Sequence, residues 1–175
     1  MGGLQIDKEE WSVTINVGPA WLTGRIHAPR ARGAVSAIQL AQAEGLLPVT
    51  DVQLTLAAGK ANLPFLALRL DQVVLIGMKD ASPEENVAPG QASRGLTMMF
   101  PRFVVRGWIV LPVGTRIIEA SQLRRSFVVL ERARLAQLDT GAALAQFRRV
   151  AVNTAHALAV TDEDPRFWDA PALSP

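Results

Sequence analysis

The sequence contains no cysteine and no tyrosine, and only Lys8, Lys60 and Lys79 among its 18 basic side chains are lysine. The missing cysteine excludes disulfides, thiolate metal sites and cysteine nucleophiles together. Aromatic side chains make up only 6% of the chain, which leaves few rings on which successive nucleic-acid bases could stack. No apolar run approaches the ~20 residues that span a bilayer as a helix. The start, Met1-Gly2-Gly3-Leu4-Gln5-Ile6-Asp7, has no basic segment followed by an apolar one, so it does not read as a secretory signal. These absences lead us to expect a soluble, cytoplasmic protein. The preference for Arg over Lys and the many Ala residues are the usage expected of a GC-rich bacterial genome.

Sites of chemistry are missing as well. No Gly-x-Gly-x-x-Gly, no Gly-x-x-x-x-Gly-Lys-Ser/Thr and no Gly-x-Ser-x-Gly string occurs, so the usual phosphate cradles and the nucleophile elbow are absent. His27 and His156 have no second histidine or carboxylate at a spacing that suits a metal or a general base. The adjacent acids Glu9-Glu10, Glu84-Glu85 and Asp162-Glu163-Asp164 fall in polar stretches where solvation keeps carboxylates ordinary. We therefore expect no catalytic residue, no cofactor, no metal and no enzyme.

What is present is an internal similarity. Trp21 to Pro29 reads WLTGRIHAP and Val104 to Pro112 reads VVRGWIVLP. Gly24 then matches Gly107, Ile26 matches Ile109, and Pro29 matches Pro112. Downstream, GLLPVTDVQL ending at Leu54 lines up with SFVVLERARL ending at Leu135, and Pro64–Asp80 lines up with Gln146–Asp162. Order, spacing and apolar pattern agree to within one or two residues, which is the mark of a duplication.

Each copy reads as a strand, a short helix, then two more strands. Leu46, Val52, Leu54 and Leu56 fall on one parity, as do Phe127, Val129, Ala133 and Leu135, which predicts half-buried strands. Residues 33–44 are rich in helix formers, and Gly45 stands where a helix end favours a left-handed residue. Thr115 is placed to cap a second short helix through Ile118 and Leu123. The closing segments, Phe65–Met78 and Val150–Val160, are long enough to bend or to break into a hairpin.

The expected class is mainly β with short helices, a β-α-β-β repeat forming two tandem small β-barrel or β-sheet domains. The expected boundaries are a polar N-terminus over 1–10, repeat one over 11–80 and a linker over 81–97, centred on DASPEENVAPGQ. Repeat two then covers 98–162, and an acidic, Pro-rich tail covers 163–175.

The Gly-x-Ile segment, the short helix, the alternating strand and the closing strand together resemble Sm-like and other small SH3-type barrels. GRIHAP with LLPVTDVQL, and GWIVLP with FVVLERARL, are also similar to tandem repeats in uncharacterised bacterial proteins of unknown function. The resemblance implies a barrel fold. The Asp and Asn loop residues of the Sm family are replaced by His27-Ala28-Pro29 and Val110-Leu111-Pro112. Asn153 stands near an RNA-contacting place of that fold, although Asn is also a common turn former.

Charge distribution is the most informative remaining feature. Residues 98–160 hold nine arginines against Glu119, Glu131 and Asp139, whereas the residues before them are near neutral and those after them acidic. Asp51 and Gln53 of copy one correspond to Arg132 and Arg134 of copy two, on the strand face expected to point away from the core. Arg106, Arg124, Arg125, Arg132, Arg134, Arg148 and Arg149 form the expected interaction face. Its readings are a solvated surface, a dock for an acidic protein surface or a neighbouring copy, or a phosphate site for nucleic acid or lipid headgroups. A non-enzymatic interaction or scaffold protein that binds a protein partner or itself is the leading expectation. A nucleic-acid-associated regulator is the alternative.

Overall fold

The structure is a computed structural model that describes residues 8–29, 33–56, 59–79, 88–117 and 126–163. The chain is mainly β, with one α-helix among the described residues, and divides into two units, Met1–Pro83 and Glu84–Pro175. The first unit contains β1 (Lys8–Asn16), β2 (Trp21–Pro29), α1 (Gly33–Glu44), β3 (Leu46–Leu56), β4 (Gly59–Arg69) and β5 (Leu75–Met78). The second contains β6 (Gln91–Met99), β7 (Phe103–Pro112), β8 (Phe127–Gln137), β9 (Ala143–Asn153) and β10 (Ala159–Glu163).

Within the first unit the strand order is β5-β1-β2-β3-β4, and within the second it is β10-β6-β7-β8-β9. Every pairing inside a unit is antiparallel. Among the described residues each unit therefore has five strands rather than the three of a β-α-β-β repeat. Among the described residues the end strands of each order do not pair with one another, so of the two expected forms, β-barrel or β-sheet, each set is an open sheet. The closing segments do break, but not into hairpins. A single turn of 3-10 helix at Leu70–Gln72, and another at Thr154–His156, separates the two pieces. The second piece then crosses to pair with the first strand of its unit. Strand β1 begins inside the segment expected to be a polar terminus, β6 begins inside the expected linker, and β10 extends to Glu163. In β6 the polar first half hides a strand whose second half, Gly95 to Met98, is fully buried.

The same backbone hydrogen bonds fasten the turns of both units. Val17 N–H donates to Ala20 C=O, and Phe100 N–H donates to Phe103 C=O. Leu70 N–H donates to Gly45 C=O, and Thr154 N–H to Ser126 C=O. Val74 N–H donates to Asn16 C=O, and Leu158 N–H to Met99 C=O. Pairing registers place Leu63 of β4 opposite Val52 and Phe147 of β9 opposite Ala133. The structural match of β4 to β9 thus slips by two residues from the sequence match of Phe65 with Phe147. A slip of two keeps every side chain on its own face.

Helix α1 covers the residues expected of it. Ala34, Ala37, Ile38 and Ala41 are buried at helical spacing, and α1 lies against β2 and β3. Gly45 ends it with φ +74° while donating to Ala41 C=O at 2.8 Å, a left-handed stop that glycine adopts without strain. The second helix expected near Ile118 and Leu123 lies outside the described residues.

The one-parity reading of β3 and β8 does not hold. Leu47 and Val49 are buried ahead of Thr50, Val52 is buried after it, and Leu46 is 45% exposed. In β8, Phe127, Ala133 and Leu135 of the expected parity are buried, but so are Val128 and Leu130 of the other, ahead of the bulge. The inward parity changes because β3 bulges against β2 between Thr23 and Arg25, and β8 bulges against β7 between Arg106 and Trp108. A bulge adds one residue, so the inward positions move from odd to even or the reverse. Asp51 and Arg132 absorb the extra residue, each with φ 50°.

Gly24 and Gly107 sit opposite these bulges. A Cβ on Gly24 would lie 2.5 Å from Val49 Cγ1 and 2.9 Å from the Thr50 carbonyl oxygen. A Cβ on Gly107 would lie 2.7 Å from Leu130 Cβ. The Gly-x-Ile signature therefore records a close approach of two strands. Gly24→Ala and Gly107→Ala are each expected to cost about 1 to 3 kcal/mol through overpacking, read as a lower urea midpoint with an unchanged slope.

Candidate interaction face

Three strands of the second unit, β7, β8 and β9, carry the basic residues. Arg106 of β7 is the direct cross-strand partner of Arg134 of β8, and Arg134 is in turn opposite Gln146 of β9. Direct partners share a face, so the two arginines stand side by side. Arg148 follows Gln146 by two residues, which in a strand returns to the same side about 6.6 Å away, and Arg132 stands at the bulge of β8. Arg106, Arg132, Arg134 and Arg148 are all exposed, and half-buried Trp108 lies two residues beyond Arg106. The structure thus brings together four of the seven expected arginines.

Arg149 does not join them. It is only 8% exposed, and its Nε donates to Glu131 Oε1 at 2.6 Å. Its Nη2 is buried with no hydrogen-bond partner. Arg149 pairs with Glu131 across β8 and β9, so register, and not the run of basic letters, separates it from its neighbour Arg148. Arg124 and Arg125 lie outside the described residues.

Matched places in the first unit carry different chemistry. Thr23 and Gln53 are direct partners there, where the second unit has Arg106 and Arg134. Asp51 stands where Arg132 stands, both at the bulge. Arg25 occupies the place of Trp108 and is neutralised by Glu10 at 2.8 Å and Asp51 at 3.6 Å. Like charges directly opposite in a sheet destabilise it. Two unit charges in a water-like dielectric repel by about 1 kcal/mol at ~4 Å and by less at greater separation. The backbone does not require the arginine pair, since the same local geometry is made with Thr23 and Gln53.

The other expected candidates resolve into structural roles. His27 is half-buried and its Nε2 shares a 2.8 Å hydrogen bond with Thr50 Oγ1. Asn153 is buried, and its side chain accepts from Ala155 N–H at 3.1 Å at the start of the 3-10 turn. Glu9 and Glu10 are exposed on β1. Asp162 of β10 lies 3.8 Å from Arg94. Among the described residues no three His, Asp or Glu side chains gather into a group that could hold a metal ion, and no helix is long and apolar enough to cross a membrane. The direct Arg106–Arg134 opposition has no local sequence mark, because cross-strand register is set by turn and bulge geometry. The paired glycines were the available signal.

No protein-family model, no curated protein and no solved structure matches the chain.

The Glu131–Arg149 pair generates a prediction. Removing one partner of a buried pair leaves an uncompensated charge, which costs most when burial is complete. Glu131 keeps a quarter of its side-chain exposure and Arg149 a tenth, so Glu131→Gln is expected to cost roughly 2 to 3 kcal/mol, below the range for fully buried pairs. Urea unfolding of the variant against the parent chain checks this, and an unchanged midpoint would show the pair to be a solvated contact.

Proposed function

We propose that this chain is a non-enzymatic interaction or scaffold protein of the bacterial cytoplasm, arisen by duplication of one small β-rich unit. The duplication is supported by the common strand order and by the recurring turn hydrogen bonds, bulges and close-packed glycines. One observation carries the function. Thr23, Asp51 and Gln53 of the first unit stand at the places where the second unit has Arg106, Arg132 and Arg134. The second unit has become a basic docking face for an acidic protein surface, while the first keeps a neutral one.

Strand β4 offers a second kind of contact. It ends the strand order of its unit, and Phe65 on it is 57% exposed. Unpaired edges recruit added strands, and Pro64, Lys60 and Arg69 are the residue types that limit uncontrolled pairing there.

A nucleic-acid-associated role is the second reading, and the placement of Trp108 beside Arg106 favours it, since an aromatic ring next to guanidinium groups can stack a base. It calls for binding to unrelated DNA or RNA that weakens steeply as salt rises.

Affinity purification of the tagged chain, compared with the Arg132→Glu/Arg134→Glu variant, tests the leading reading. The expected result is a set of acidic partners retained by the parent chain, released by salt and missing from the variant. A differently tagged copy of the chain among them would identify head-to-tail self-association. Identical partners with both proteins would remove the role of the face.

A further inference from the structure

Resting on the interaction-protein reading, we propose that copies of this chain join head to tail, the open edge of β4 in one copy taking β10 of a second copy as an added strand. Among the described residues β4 and β10 each have a paired strand on one side only. In the strand orders of the two units β4 matches β9, and β10 matches β5. The end strands β9 and β5 are buried: Phe147, residues 149–153 of β9 and all four residues of β5 are closed to water. Their counterparts are open. The cross-strand registers place Leu63, Phe65, Leu66 and Leu68 of β4 where Phe147, Arg149, Val150 and Val152 stand in β9. Leu63 and Phe65 are exposed, and Leu66 and Leu68 only half-buried. Leu158, which leads into β10, and Ala159 are exposed where Val74 and Leu75 are buried. A strand that is apolar on both faces and unpaired along one edge is a template for another strand.

The two buried end strands are one of each kind, and so are the two open ones. A second copy therefore offers β4 the kind of strand it lacks, and such a contact is heterologous. The residues of the strands select β10 over a second β4. Strand β4 holds Lys60 and Arg69 and no acid. Antiparallel pairing of two β4 strands about Pro64 and Phe65 would set Lys60 against Arg69, a like-charge opposition. Pro64, at that centre, has no N–H to donate. Strand β10 has Thr161 and Asp162 where β5 has Gly77 and Met78, so it brings an acid and no base to a basic strand. Arg69 keeps Asp71 and Asp162 keeps Arg94, and both pairs are exposed, so charge contributes little energy and acts mainly in choosing the partner. Added backbone hydrogen bonds and the covering of Leu63, Phe65 and Leu158 hold it. A polar β10 tolerates water when it stands alone, which makes the contact reversible.

Sedimentation velocity on the full chain tests this. The average mass of the parent chain is expected to rise with concentration beyond about twice that of the monomer, because a head-to-tail contact does not stop at a dimer. Phe65→Asp/Ala67→Asp sets acids on β4 against acidic β10, and Ala159→Lys/Thr161→Lys sets bases on β10 against basic β4. All four positions are exposed, so each variant is expected to keep its far-ultraviolet spectrum. Each alone is expected to stay monomeric, and an equal mixture to assemble again, because the exchanged charges attract. A parent chain that stays monomeric at every concentration would overturn the proposal, as would variants that assemble like the parent. Loss of assembly in the β4 variant alone would replace the head-to-tail contact with a pairing of two β4 strands. A mixture that stays monomeric although both variants are folded would overturn the pairing of β4 with β10. Arg132→Glu/Arg134→Glu is expected to assemble like the parent; if it alone loses assembly, the basic face makes the contact and the edge strands do not. If the parent is monomeric while the charge-reversed chain still loses its acidic partners, the interaction reading stands and only the head-to-tail contact falls. If both fail, the function falls with it.

Discussion

Where β2 meets β3, and again where β7 meets β8, two backbones approach so closely that no side chain fits between them. Gly24 and Gly107 make this possible, and the facing strands answer with an added residue in the left-handed region, Asp51 and Arg132. Everything else in each unit is arranged around that contact. The bulge switches which side chains of β3 and β8 point inward, so that one strand contributes to the core with both of its faces in turn. It also lifts one side chain outward at a fixed place, and in the second unit that side chain is an arginine.

The two units show what the backbone demands and what it leaves free. Close-packed glycines, turn hydrogen bonds and strand order are the same in both, because each is fixed by sterics or by the need to satisfy buried peptide groups. Outward positions on β7, β8 and β9 are under no such demand, and there the units part. Arg106 stands opposite Arg134 although Thr23 and Gln53 make the same pairing without repulsion. A residue choice that works against the fold where a neutral one is available is the kind of local inconsistency found at functional sites. Glu131 and Arg149 are the opposite case, a charge pair largely shielded from solvent and joined by a hydrogen bond.

Much of the fold was legible in the sequence, and the illegible part has a definite cause. Helix α1 could be read because helix formers end at Gly45, a local signal. The Gly-x-Ile strings marked the two crossings because a glycine fixed by a close approach leaves a letter behind. Strands β1 and β6 were hidden because their first halves are polar and exposed, so no alternation announces them. The inward parity of β3 and β8 was misread because a bulge leaves no apolar mark of its own. For the same reason Arg148 and Arg149, adjacent in sequence, looked like one feature, although register sends the first to the surface and the second into a buried pair. The arginine enrichment itself was plain from composition, while the opposition of Arg106 and Arg134 needed the strand pairing.

Thermal unfolding of Arg106→Thr/Arg134→Gln beside the parent chain checks the claim that the direct opposition of Arg106 and Arg134 works against the sheet. At low salt the variant should melt roughly 1 to 4 °C higher, and the gain should shrink as salt screens the repulsion. A variant that melts lower at both salts would show that the two arginines hold the sheet together, and would contradict the claim.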